Sequence, residues 1–72
     1  MFVRFTNAVD RYRGMPLYIN SNKILSVYEE PTNNGSLSTV VWGGDHNNRW
    51  VVEEGLKEAI DILNGVKHAN KV

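Results

Sequence analysis

Hydrophobic and polar positions alternate with a period of two along most of the chain and then change to a helical period. Residues 50–52 end a half-buried strand, and the apolar residues that follow recur on one face of a helix. A strand that passes directly into an amphipathic helix predicts a helix packed on a sheet at the end of the chain. The predicted apolar face consists of Leu56, Ala59, Ile60, Ile62, Leu63 and Val66.

Five short runs with the strand period precede this helix. The predicted strands are residues 2–6, 17–20, 24–30, 37–42 and 49–52. Polar turn residues separate the runs, which favours hairpins and antiparallel pairing. The pair Asn34-Gly35 is the strongest hairpin signal and predicts a type I′ turn, in which two residues have positive φ angles.

The pattern therefore predicts an α+β fold, an antiparallel β-meander of about five short strands with one C-terminal helix packed on the sheet. A small, partly closed SH3-like or Sm-like barrel followed by a helix is the alternative, because local patterns do not separate an open sheet from a closed one. Residues 1–66 are expected to form a single domain, and the glycine at position 65 is expected to stop the helix. Residues 67–72, with His68, are expected to form a polar C-terminal tail.

Composition limits the ways in which so small a domain is stabilised. The chain has 72 residues and no cysteine, which excludes disulfides and thiolate zinc sites. Because a domain of this size buries only about 60% of its unfolded surface, oligomerisation or unusually good packing is expected. Eight basic and eight acidic side chains cancel, so nothing attracts the whole chain to nucleic acid or to a membrane. With neither a signal-peptide pattern nor a membrane span, a cytoplasmic protein is expected.

Five stretches of the chain carry a resemblance to a known family. They are Phe2-Val3-Arg4-Phe5-Thr6, Leu17-Tyr18-Ile19-Asn20, Lys23-Ile24-Leu25-Ser26-Val27-Tyr28-Glu29-Glu30-Pro31, Ser38-Thr39-Val40-Val41-Trp42 and Trp50-Val51-Val52-Glu53-Glu54. In this order they resemble the FlbD-like family of small flagellar and swarming-motility proteins. The resemblance implies the same succession of strands and helix, and it implies no catalytic residues. A phage or mobile-element protein of similar design is the alternative.

The residue types and their spacing give little support for a catalytic site. The chain has no cysteine and no Gly-x-Ser-x-Gly motif, and the adjacent glutamates at 29–30 point to opposite faces of a strand. The glutamates at 53–54 are predicted to lie in the first helical turn, where negative charge suits the helix dipole. Asp45 and His46 are interpreted as part of a solvated turn. We therefore expect a protein that is not an enzyme and that holds neither a cofactor nor a metal ion.

Two surface features are candidates for binding a partner. The loop Arg11-Tyr12-Arg13 combines guanidinium groups with an aromatic ring, as nucleic-acid contacts do. Two tryptophans flank the turn before the last strand, where they are expected to lie in the core or to form a cross-strand pair, unless one anchors a partner. The candidate partner-binding residues are Arg11, Tyr12, Arg13, Trp42, Arg49 and Trp50.

These features predict a small protein-interaction or assembly domain that is not an enzyme. Its expected partner is a second copy of itself, in a homo-oligomer, or another protein, bound through a sheet edge or an aromatic face. The alternative is a small nucleic-acid-binding or regulatory protein that uses the loop from Arg11 to Arg13. An enzyme subunit or inhibitor is the third candidate.

Overall fold

Five antiparallel strands and one helix make up the fold in a computed structural model that describes residues 1–65. The strands are β1 (Phe2–Thr6), β2 (Pro16–Asn20), β3 (Ser26–Pro31), β4 (Leu37–Trp42) and β5 (Arg49–Val52), and the helix is α1 (Leu56–Leu63). Two short 3-10 turns, Asp10–Tyr12 and Ser21–Lys23, flank β2. The predicted α+β class and the strand order are thereby confirmed. The predictions for Val66 and for the tail at 67–72 lie outside the described residues.

The strands form two sheets that meet at one corner. The pair β1-β2 is one sheet, and the order β3-β4-β5 is the other. At the corner, the N–H of Ala8 donates to the carbonyl of Val51 at 3.0 Å, and the N–H of Glu53 donates to the carbonyl of Thr6 at 2.8 Å. These two bonds form a single antiparallel bridge between residues 7 and 52. Across residues 1–65 the strands do not close into the barrel that was the alternative prediction.

The hydrophobic core lies between the two sheets and α1. Its buried residues are Phe5, Ile19, Val41, Val52 and Ala59. The partly buried side chains packed around them are Val3, Leu17, Ile24, Val27, Trp50, Ile62 and Leu63. The helix contributes a narrower face than predicted, because Ile60 stays 41% exposed at its margin.

The third strand begins two residues later than predicted. Residues 21–23 form a 3-10 turn, which the N–H of Ile24 extends by donating to the carbonyl of Ser21 at 3.2 Å. Ile24 and Val27 both pack against the core, while Leu25 between them is 73% exposed. Two core residues three positions apart break the period of two, which is why the alternation misplaced the start of this strand.

The hairpin between β3 and β4 is not the type I′ turn that the sequence predicted. Gly35 has a φ of +88°, but no residue other than glycine has a positive φ in residues 1–65, so Asn34 does not. The N–H of Gly35 donates to the carbonyl of Thr32 at 3.2 Å, and the N–H of Thr32 donates to the carbonyl of Ser36 at 2.8 Å. These bonds close a three-residue loop with one left-handed residue. The amide oxygen of Asn34 accepts from the hydroxyls of Thr32 and Ser36, which stabilises this loop.

The helix begins after the two glutamates that were predicted to lie in its first turn. Its N-cap is Gly55, and Glu58 is the acidic residue of the first turn. Gly65, with a φ of +75°, donates its N–H to the carbonyl of Ile62 at 3.1 Å, as expected of a residue that ends a helix. Within residues 1–65, no helix is long and apolar enough to cross a bilayer.

Candidate interaction surface

The hydrogen bonds at the two ends of the β1–β2 pair fix which backbone groups of β2 face β1. At one end, the N–H of Ser21 donates to the carbonyl of Met1 at 2.7 Å. At the other end, the N–H of Asn7 donates to the carbonyl of Met15 at 2.8 Å. In an antiparallel pair, hydrogen-bonded positions recur at every second residue. The odd-numbered residues of β2 therefore bond to β1.

The even-numbered residues of β2 direct their backbone groups away from β1, along the outer edge of the sheet. Tyr18 presents an N–H and a carbonyl there, Asn20 presents an N–H, and Pro16 presents a carbonyl alone. The carbonyl of Asn20 accepts the first bond of the 3-10 turn that follows. Because β2 is the outer strand of its sheet, no strand within residues 1–65 pairs with these groups. This edge offers the hydrogen-bonding pattern that an additional strand needs.

The side chains along this edge are uncharged, and large apolar groups stand beside it. Tyr18 is 60% exposed on the outer face of the sheet, and Phe2 on the same face is 66% exposed. Met1 and Met15, at the two ends of the pair, are also exposed. Arg4, directly opposite Tyr18, is the one charged side chain of β1 and β2. The outer face of β1 and β2 therefore carries apolar groups at Phe2, Pro16 and Tyr18, beside polar Thr6 and Asn20 and a single positive charge.

The outer strand of the other sheet has a different character. The strand β3 carries two adjacent glutamates, Glu29 and Glu30, and ends in Pro31. Charged side chains and a proline without an N–H are devices that keep an exposed strand from pairing with another chain. The outer edges of β2 and β3 are thus unequal, since β3 is protected and β2 is not.

The face of the three-stranded sheet turned away from α1 holds an ion pair. The guanidinium of Arg49 on β5 donates to the carboxylate of Glu30 on β3 at 2.6 Å. This ion pair spans the central strand β4, whose Val40 is fully buried on the same face. This hydrogen bond raises the pKa of Arg49 above its ordinary value. The ring of Trp42 lies on the same face, with the ring of His46 6.5 Å away in an edge-on arrangement.

Of the two expectations for the tryptophans, packing against the core is met by Trp50, but the two rings do not form a cross-strand pair. Trp50 is paired with Val41, whereas Trp42 is paired with Arg49. Since neighbouring residues of a strand point to opposite faces, Trp50 packs against the core and Trp42 lies on the face away from α1. Trp42 and Arg49 therefore share a surface that Trp50 does not reach.

The loop with the two arginines partly neutralises its own charge. Arg13 donates to the carboxylate of Asp10 at 2.9 Å, and this bond raises the pKa of Arg13 above its ordinary value. The guanidinium of Arg13 also lies 4.0 Å from the carboxylate of Glu53. Arg11 stands over the ring of Tyr12 at 5.8 Å. The six predicted partner-binding residues therefore fall into three environments, which are this loop, the face away from α1, and the core.

A second site that the sequence did not reveal is the corner between the two sheets. The carboxylate of Glu54 accepts hydrogen bonds from the N–H and from the hydroxyl of Thr6, each at 2.9 Å. Beside this corner, a groove of about 530 Å³ runs between β1 and α1, with Glu58 and Ile62 in its wall. Within the described part of the chain, no group of three or more histidine, aspartate or glutamate side chains is arranged to hold a metal ion.

Comparisons with known proteins identify no relative of this chain. No protein-family model matches it, and neither a curated protein nor a solved structure does. The resemblance to the FlbD-like family therefore stays a prediction. The interpretation of function consequently rests on the surfaces of the molecule itself.

Proposed function

We propose that the protein is an assembly domain without enzymatic activity, and that it self-associates through the outer edge of β2 and the apolar surface beside it. The observation that supports this proposal is the contrast between the outer strands β2 and β3. The edge of β2 is uncharged and has free backbone groups at Tyr18 and Asn20. The edge of β3 carries Glu29, Glu30 and Pro31. Backbone pairing with a second copy is thus favoured at one edge and opposed at the other.

The size of this surface sets the expected strength of association. One short strand and a few apolar side chains bury less than about 1,200 Å², which is the range of weak and transient complexes. Each square ångström of apolar surface removed from water contributes about 25 cal/mol, part of which offsets the entropy lost on association. We therefore expect a dissociation constant on the order of micromolar rather than nanomolar.

Sedimentation velocity from about 10 μM to about 1 mM tests the proposal, because this range spans the expected dissociation constant. The protein should pass from monomer to dimer as its concentration rises. The variant Tyr18→Lys should remain monomeric, since it places a second positive charge directly opposite Arg4 at the free edge.

A matched control separates the proposed edge from apolar exposure in general. Leu37 on β4 is 60% exposed, the same fraction as Tyr18, but it does not lie on the β2 edge. The variant Leu37→Lys should therefore associate like the native protein. A native protein that stays monomeric over the whole range would refute the proposal. An equal loss of self-association in the two variants would refute the choice of the β2 edge as the surface.

The nucleic-acid alternative has less support from the geometry. Of the two arginines in its candidate loop, Arg13 already donates to Asp10 and lies near Glu53. The third basic candidate, Arg49, is paired with Glu30 on the face away from α1. Charges that already have acidic partners within the molecule contribute less to binding phosphates.

A further inference from the structure

We infer, on the basis of the proposed self-association, that two copies pair their β2 strands antiparallel about a two-fold axis at Tyr18. The two β1–β2 pairs would then form one four-stranded sheet, in the order β1-β2-β2-β1. A two-fold axis is the common symmetry of homodimers, and it requires a surface that is complementary to itself. The backbone of β2 meets this requirement best at one position.

The arrangement of outward backbone groups restricts where the axis can lie. The axis can pass through a hydrogen-bonded or a non-hydrogen-bonded pair, so Leu17 and Ile19 have to be considered as well. An axis at Leu17 pairs Tyr18 with Pro16, which has no N–H to donate in return. An axis at Ile19 needs the carbonyl of Asn20, which already accepts the first bond of the 3-10 turn.

An axis at Pro16 would set two residues without an N–H opposite each other. An axis at Asn20 would pair Tyr18 with Asn22, which belongs to a 3-10 turn. Tyr18, the middle residue of the strand, is the position at which the free outward groups form the most hydrogen bonds.

With the axis at Tyr18, the hydrogen bonds are reciprocal. The N–H of Tyr18 donates to the carbonyl of Tyr18 in the second copy, and the second copy returns the same bond. The N–H of Asn20 donates to the carbonyl of Pro16 in the second copy, again twice by symmetry. Pro16 accepts through its carbonyl but has no N–H to donate, so the pairing contains four hydrogen bonds rather than six.

The same register places apolar side chains side by side on the core face. Leu17 of one copy comes opposite Ile19 of the other. Within each copy, Leu17 is paired with Phe5, and Ile19 is paired with Val3. The core-face row across the four strands is therefore Phe5, Leu17, Ile19 and Val3, with the last two from the second copy. Leu17, half-buried in the single chain, gains an apolar neighbour.

On the outer face, the same register separates like charges. The two Tyr18 side chains are neighbours at the axis, and Arg4 of each copy lies on the far side of its own Tyr18. The two Arg4 positions are then three strand spacings apart, which is about 14 Å. The single charge of each outer face is thus kept away from its counterpart.

Single-cysteine variants of the full chain test this register, because the native sequence contains no cysteine. The Cα atoms of a hydrogen-bonded antiparallel pair are about 5.5 Å apart, within the span of a disulfide. Tyr18→Cys should therefore form a disulfide-linked dimer under mild oxidation. Each variant is first compared with the native protein by circular dichroism and by sedimentation under reducing conditions.

Two variants on the same surface serve as matched controls. Arg4→Cys lies on β1, and its counterpart in the second copy is about 14 Å away. Asn20→Cys lies on β2, but the second copy of this residue is four positions along the strand, again about 14 Å away. Both should cross-link more slowly than Tyr18→Cys by about tenfold or more. A mixture of Asn20→Cys with Pro16→Cys retains Tyr18 and should give the mixed dimer in preference to either like pair.

The outcomes separate the register from the proposed function. Preferential linkage through position 18, together with the mixed dimer, supports the two-fold pairing. A dimer in sedimentation that links equally well through position 4, or that gives no mixed dimer, overturns the pairing but leaves self-association in place. Monomers at every concentration, without preferential linkage, overturn both.

Discussion

At the scale of single residues, Glu54 is the side chain on which the joint between the two sheets depends most. Its two carboxylate oxygens accept from the backbone N–H and from the hydroxyl of Thr6. The carbonyl of Thr6 accepts from the backbone N–H of Glu53. All the polar groups of Thr6 are therefore bound by two consecutive residues just before α1, which fixes the end of β1 to the start of the helix.

Replacing Glu54 with alanine should lower the free energy of unfolding by about 1–3 kcal/mol, because the N–H of Thr6 loses its partner in a partly buried place. Urea denaturation followed by tryptophan fluorescence measures the change. Glu53→Ala is the matched control, since its carboxylate makes a single exposed contact with Arg13 at 4.0 Å. That variant should stay within about 0.5 kcal/mol of the native protein. An equal loss of unfolding free energy in the two variants would contradict the role given to Glu54.

Residue roles were predictable where the partners are close in sequence. The carboxylate of Asp45 accepts from the backbone N–H groups of Asn47 at 2.9 Å and Asn48 at 3.1 Å. These bonds confirm the predicted solvated turn and give it the geometry of an Asx turn. The bond between Thr6 and Glu54 joins residues 48 positions apart. No local pattern indicates such a contact, and for that reason Glu54 was assigned to the helix dipole instead.

At the scale of the elements, the strand period located every strand but not every boundary. The errors occur where short-range hydrogen bonds compete with regular structure. The amide oxygen of Asn20 accepts from the N–H of Asn22 at 3.0 Å and favours the 3-10 turn that delays β3. In the next hairpin, the side chain of Asn34 bonds to Thr32 and Ser36 and favours a longer loop. The prediction that asparagine marks turns is confirmed at both places, but the partner of its side chain decides which kind of turn forms.

The N-cap of α1 gives a prediction at this scale. Gly55 has φ −69° and ψ 167° and makes no side-chain cap bond, and a Cβ added there would meet nothing within 4 Å. Gly55→Ser should raise the free energy of unfolding by about 0.5–1 kcal/mol, because the hydroxyl caps a free N–H and the unfolded chain loses freedom. Thermal denaturation measures the gain.

Gly55→Ala is the control for the cap, because it reduces the freedom of the unfolded chain but supplies no hydrogen-bond acceptor. The serine variant should therefore be more stable than the alanine variant. An alanine variant as stable as the serine variant would show that the hydroxyl forms no cap. The comparison also tests where the helix begins, since serine helps only at or beside the N-cap position.

At the scale of the whole molecule, the fold class followed from the sequence but the division into two sheets did not. Strand periodicity and polar turns are local, and they predict a meander ending in a helix. The break between β2 and β3 results from the turn at residues 21–23 and from the contacts of Thr6 with residues 53–54. The candidate surface was also predictable only in part. A free sheet edge was expected, but whether β2 or β3 was free depends on the topology.

If association occurs through folded monomers, the midpoint of thermal unfolding should rise with protein concentration, since dimer formation stabilises the folded state by mass action. For a domain of this size, 1 kcal/mol corresponds to about 4–8 °C, so a rise of several degrees is expected over a roughly hundredfold range. Scanning calorimetry measures the midpoint. Tyr18→Lys should show a midpoint that is independent of concentration. A constant midpoint in the native protein would argue against a dimer of folded chains.

The inequality of the two outer strands has a consequence for the length of any assembly. In the terms of polymer chemistry, a subunit with two reactive ends gives a fibre, whereas a subunit with one gives only a pair. Of the edges of β2 and β3, β2 is the reactive one, because β3 carries Glu29, Glu30 and Pro31. If two copies join through β2, the reactive strand of both is consumed and growth through β3 is opposed, so a pair is favoured over a fibre.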